Sequence, residues 1–91
     1  MRRHNKIQFI AILQAENRIQ IPIEIRQQYK LKPNQFLRGI ISSKERWYKS
    51  EDFFARLSSD GRITVPWEIR RELQIKPGEM LRVQLYLEDR L

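Results

Sequence analysis

The chain has 91 residues, 41% of them hydrophobic and 10% aromatic, which is enough for one modest core and too much for a disordered polyelectrolyte. No cysteine and a single histidine exclude a disulfide scaffold, a thiol nucleophile, an iron–sulfur site and a zinc finger. The formal charge is +7 and is one-sided: residues 1–46 hold ten basic and three acidic side chains, whereas 47–91 hold eight of each, and such a surface attracts phosphate polyanions.

At the start of the chain Arg2, Arg3 and Lys6 form a basic arm of the kind that tracks phosphates or enters a minor groove. The apolar run Phe9–Leu13 falls far short of the roughly 20 residues of a membrane helix, and no small-residue cleavage site follows it, so the segment is expected in the mature protein. Alternation over Ile7–Leu13 predicts a strand, and Glu16-Asn17 a turn. Arg18–Ile21 then returns as the second strand of a hairpin, burying Ile19 and Ile21. Pro22 ends that strand and opens a short helix, in which Ile25 and Tyr29 share a face and Arg26 and Gln27 turn to solvent. Leu31-Lys32-Pro33-Asn34 reads as a type II turn with Asn34 at positive φ, before a strand over 36–41. Residues 42–52 are a connector whose Trp47 and Tyr48 are expected to cover the edge of the fold or close its core.

From Phe53 the sequence begins again. Shifted by 44 residues, 9–41 aligns with 53–85 without a gap and with 13 identities in 33 positions, among them Arg18/Arg62, Pro22/Pro66, Arg26/Arg70 and Pro33/Pro77. Two copies are too few for a solenoid, which needs three or more to bury a continuous face, so the repeat predicts a homodimer-like arrangement fused into one chain. The second copy has its turn at Asp60-Gly61, a helix from Pro66 that exposes Arg70 and Arg71, and a second type II turn at Gly78.

The run Asp60-Gly61-Arg62-Ile63-Thr64-Val65-Pro66-Trp67-Glu68-Ile69-Arg70, continuing to Ile75-Lys76-Pro77-Gly78, closely resembles the SpoVT/AbrB-type (looped-hinge helix) DNA-binding domain, and 17–34 carries a drifted version. The resemblance covers nearly the whole chain. It implies a mainly β fold with two short helices: a swapped-hairpin barrel formed as an intrachain pseudo-dimer, with residues 6–41 and 53–87 as its halves. It also implies that Arg18, Arg26, Arg62, Arg70 and Arg71 face double-stranded DNA; independently of the resemblance, the basic arm of Arg2, Arg3 and Lys6 is expected to join them. Gln27 stands where Arg71 has its counterpart, and Ala11 and Ala55 stand where the family has a basic residue in the first strand.

Arginine suits the role in its own right, since its planar fork bonds a phosphate or a guanine edge with two donors. The competing reading pairs Arg18 and Arg62 with Glu16 and Asp60, and Arg26 and Arg70 with Glu24 and Glu68, in surface salt bridges of small effect. Trp67 reads as packing rather than base stacking. Catalysis is not expected, because His4 lies in the arm and the carboxylates at 16 and 60 are no shared-proton dyad. No cofactor or metal is expected. The expectation is a cytoplasmic transcription regulator, with a non-specific architectural DNA binder or an antitoxin-like interaction module as alternatives. The second copy reaches nearly to Leu91, leaving little tail to wrap a toxin. Self-association as a dimer of pseudo-dimers remains open.

Overall fold

The computed structural model describes residues 6–87, so Arg2 and Arg3 of the basic arm lie outside the described residues. In chain order the elements are β1 (Lys6–Ile12), a single 3-10 turn (Ala15–Asn17), β2 (Arg18–Gln20), α1 (Ile23–Gln28), β3 (Phe36–Ser43), β4 (Ser50–Arg56), β5 (Arg62–Thr64), α2 (Trp67–Leu73) and β6 (Met80–Tyr86). Period-two alternation sorts the long strands: Ile7 on β1, Leu37 and Ile41 on β3, Phe53 on β4, and Leu81, Val83 and Leu85 on β6 are buried, while the out-of-phase residues such as Arg38, Ile40, Arg82 and Gln84 face outward. The class is mainly β with two short helices.

The strands form an antiparallel four-stranded sheet, in the order β1-β6-β3-β4, and a two-stranded sheet of β2 and β5. One hydrophobic cluster lies between them, with Ile19, Ile21, Ile63 and Val65 contributed from the β2/β5 side. The hydrogen-bonded ladders of the described residues thus make two sheets rather than one closed ring.

Every ladder joins the first repeat to the second: β1 to β6, β3 to β4, β3 to β6, and β2 to β5. Exchanging each residue for its counterpart 44 positions away returns the same pairings, except that Ser43–Leu81 maps to Leu87–Leu37, just past the end of the ladder. Lys6–Tyr86 becomes Ser50–Ser42, Arg18–Thr64 becomes Arg62–Gln20, and Arg38–Tyr86 becomes Arg82–Ser42, all of them observed. Ile19–Ile63 and Ile40–Gln84 map onto themselves.

The hairpins expected inside each repeat are corrected by this pairing. Their tight turns form, with Gln14 N–H bonded to the Arg18 carbonyl at 2.8 Å and Ser58 N–H to the Arg62 carbonyl at 2.9 Å. The chain then leaves its own sheet. Leu13 continues the pairing of β1 through Leu13 N–H to the Glu79 carbonyl and Gly78 N–H to the Leu13 carbonyl, and β2 goes to β5.

The proline turns are as expected, with Asn34 at φ 70° and Gly78 at φ 99°. The helices end on left-handed residues the sequence did not announce, Lys30 and Gln74, both at φ 55°. Their successors donate back to the Arg26 and Arg70 carbonyls at 2.9 and 3.1 Å, closing the last turn. The connector is shorter than 42–52, because β3 runs on to Ser43 and β4 starts at Ser50. It docks through Arg46, whose Nη2 donates to the Leu73 carbonyl at 2.8 Å at the end of α2, where carbonyls lack helical partners. Trp47 and Tyr48 do not close the core: they are 65% and 71% exposed and meet edge to face, since Arg46 makes the anchoring contact.

Candidate nucleic-acid interface

On the β2–β5 ladder Ile19 and Ile63 are fully buried, so the alternate residues Arg18, Gln20, Arg62 and Thr64 form the outward face. Arg18 lies opposite Thr64 and Arg62 opposite Gln20, which sets the two arginines on a diagonal with Cα atoms roughly 7–8 Å apart. Two counterparts in the repeats thereby become neighbours on one surface. Both side chains are 30% exposed.

Each arginine is held by the turn that precedes it. Arg18 Nη2 lies 3.1 Å from Glu16 Oε1. Arg62 pairs with Asp60 through Nη1, and its Nε donates to Gln14 Oε1 across the repeats at 2.8 Å. The hydrogen bond from the Ser58 hydroxyl holds the Asp60 carboxyl below its ordinary value of 3.8, opposed by desolvation and reinforced by Arg62 and then Arg18. The acidic pairing read from the sequence is therefore present at both tips. It leaves further N–H donors on each guanidinium, which carries five.

Arg26 and Arg70 play a different part from either reading. They do not pair with Glu24 or Glu68; Arg26 Nε donates to the Ile21 carbonyl at 2.9 Å and Arg70 Nε to the Val65 carbonyl at 3.1 Å. Ile21 and Val65 are wholly buried and precede the prolines, and a buried carbonyl at a strand end needs a donor. The Arg26 guanidinium also lies against Gly61 of the other repeat's turn, so close that a Cβ there would fall 2.4 Å from Arg26 Cζ. Arg26 and Arg70 are half-buried, and each holds the carbonyl that follows β2 or β5.

Arg71 is exposed on α2, with its guanidinium 5.2 Å from the centre of the Trp67 ring. Trp67 is 57% exposed, so it serves as a platform for Arg71 rather than as core packing. Lys6 stands apart from this group, because it starts β1 on the outward side of the four-stranded sheet, across the core from Arg18 and Arg62.

Sequence reasoning missed three participants. Gln20 shares the ladder face and its Nε2 donates to the Asp60 carbonyl at 2.9 Å, tying one tip to the other repeat's strand. Gln14 orients Arg62, and Thr64 completes the face beside Arg18. Gln20 and Thr64 were findable, since alternation places them in phase with the arginines. Nothing local signals Gln14, whose partner is 48 residues away.

Among the described residues, no group of three or more His, Cys, Asp or Glu side chains is placed to hold a metal ion, and no helix is long and apolar enough to cross a membrane. The site is a polar, arginine-bearing surface on a small mainly β protein. Among solved structures, the chain is similar to the solution structure of PHS018 from Pyrococcus horikoshii, with a TM-score of 0.75 and 27% identity over 92% of this chain and 95% of that one. No family model and no curated protein matches it.

Proposed function

We propose that the protein binds double-stranded DNA through the β2–β5 face, as a transcription regulator. The observation that carries this reading is the meeting of Arg18 and Arg62, one from each repeat, on one outward surface of a chain with net charge +7. The SpoVT/AbrB-like motif around both arginines supports it, as does the 44-residue invariance of the ladders, which suits a swapped-hairpin pseudo-dimer presenting two related contact sets to a duplex. In this reading Arg18, Arg62 and Arg71 supply donors to phosphates and groove edges. Arg26 and Arg70 hold the ends of the strands that carry Arg18 and Arg62, and Arg26 also lies against the Gly61 turn.

The test is a fluorescence-anisotropy titration of a duplex from upstream of the protein's own gene against a shuffled duplex of equal composition, over a range of salt. Preference for the native duplex that survives physiological salt is expected of a regulator; equal, salt-sensitive binding to both marks an architectural protein. Replacing Arg18 and Arg62 by Ala removes two phosphate contacts and lowers the salt slope by about two units. Unchanged duplex affinity in a folded double variant rejects this face.

A further inference from the structure

The outward side of the four-stranded sheet is unlike an ordinary solvated face. Ile10, Ile12, Phe36, Phe54 and Met80 all lie on it and are each about half exposed, at 47–52%. Among the described residues they share the face with Lys6, Arg38, Arg56 and Arg82, against which stands one acid, Asp52, at 3.1 Å from Arg38. Among the described residues the face thus carries a net charge of +3, four bases less one acid, together with two apolar clusters at diagonally opposite corners, Phe36 with Phe54 and Met80 with Ile10 and Ile12, separated by Arg38, Ile40, Gln84 and Arg82.

The register orders these residues. One cross-strand row, running β4, β3, β6, β1, reads Phe54, Arg38, Tyr86, Lys6, so that aromatic and cation alternate over four strands spaced about 4.8 Å apart. Beside it Phe36 and Phe54 stack in parallel, with ring centres 5.2 Å apart and planes within 6°. Arg56 lies over Phe36 at 4.9 Å, and Arg38 over Tyr86 at 5.3 Å. Further along the sheet, Trp47 and Arg82 line an open depression of about 500 Å³ floored by Ile40 and Gln84.

We infer that this face is a stacking platform for single-stranded nucleic acid, separate from the proposed duplex surface across the core. Unpaired bases present planar apolar faces that stack on aromatic rings, and the backbone between them supplies the anions that arginine and lysine take. A duplex hides its base faces and has no use for the stacked phenylalanines. A second copy of the chain fits poorly, because face-to-face pairing doubles the unneutralised +3 in one interface.

The experiment is an anisotropy titration of fluorescein-labelled dT15, with U15 as the RNA arm and a 15-base-pair duplex as the comparison. Wild-type protein is expected to bind dT15, U15 or both, and the Phe36→Ala/Phe54→Ala variant to lose about tenfold or more while its duplex affinity stays put. Phe36→Leu/Phe54→Leu keeps the apolar area without the ring and is expected to lose as much. Arg56→Ala/Arg82→Ala leaves the rings and is expected to flatten the salt dependence. Absence of binding to either single strand at micromolar protein overturns the inference, as does wild-type affinity in the leucine variant. So does sedimentation as a dimer that the alanine variant abolishes, which assigns the face to a second copy. Duplex binding is read in the same titrations and responds to Arg18 and Arg62, so either surface can fail without the other.

Discussion

Gly61→Ala tests the contact between the repeats most sharply. Gly61 sits at φ +82°, where an L side chain costs about 1–2 kcal/mol, and its new Cβ would lie 2.4–2.6 Å from three atoms of the Arg26 guanidinium. Arginine is flexible and can swing aside, but doing so breaks the 2.9 Å bond to the Ile21 carbonyl, a loss of about 1–2 kcal/mol for a half-buried charged donor. The sum is a destabilisation of about 2–4 kcal/mol. Gly78→Ala is the built-in control: at φ +99° it meets nothing within 4 Å, so it carries the backbone strain alone, about 1–2 kcal/mol. Urea denaturation of both variants, repeated in an Arg26→Ala background, separates the two terms. In that background Gly61→Ala is expected to fall to the cost of Gly78→Ala, a coupling of about 1–2 kcal/mol. Equal costs for the two glycines, with no coupling to Arg26, refute the reasoning.

Three other outcomes are expected. Asp60 has a folded value held below 3.8, so its contribution is present above that value and lost as pH falls through the depressed one; Asp60→Asn should flatten the decline in melting temperature below about pH 4, and parallel wild-type and variant profiles would refute it. Leu85→Ala, on central strand β6 and fully buried, should cost about 2–5 kcal/mol in denaturant, whereas the exposed Trp47→Ala should stay within about 0.5 kcal/mol. Proteolytic cleavage between Lys44 and Lys49 should leave the halves together on native size exclusion, because every ladder spans the cut; separation at micromolar concentration would contradict the interleaved pairing.

Much of the fold was legible where local chemistry decides the conformation. Asn34 and Gly78 follow proline and take the positive φ that their turns demand, Pro22 and Pro66 end strands, and alternation placed Ile19, Ile21, Ile63 and Val65 inside. Partner choice was not legible. The turn at Glu16-Asn17 looks the same whether the chain returns along itself or hands β2 to the other repeat, since a turn specifies its own dihedrals and not what lies beyond. Lys30 and Gln74 show the limit of residue preference, reaching the left-handed region without glycine because the closing hydrogen bonds to Arg26 and Arg70 hold them there. For the candidate site, the sequence named the arginines but not their division of labour. Arg26 and Arg70 recur in both copies because each Pro-flanked buried carbonyl needs a donor, a requirement visible only once Ile21 and Val65 are placed.

The interleaving of the repeats also governs how the chain is made. Among the described strands, ribosomes deliver β1 before the others, yet its partner β6 emerges after them, and β2 waits for β5, whereas β3 meets a partner, β4, as the next strand in line. Some 67 residues separate the end of β1 from the start of β6, a delay of about 3–14 s at ordinary translation speeds. Throughout that interval the nascent polypeptide trails the apolar run Phe9–Leu13 with its amides unpaired, a template for strand addition by any neighbouring chain. Among the described strands, the order of the two repeats thus leaves the earliest one waiting for the latest.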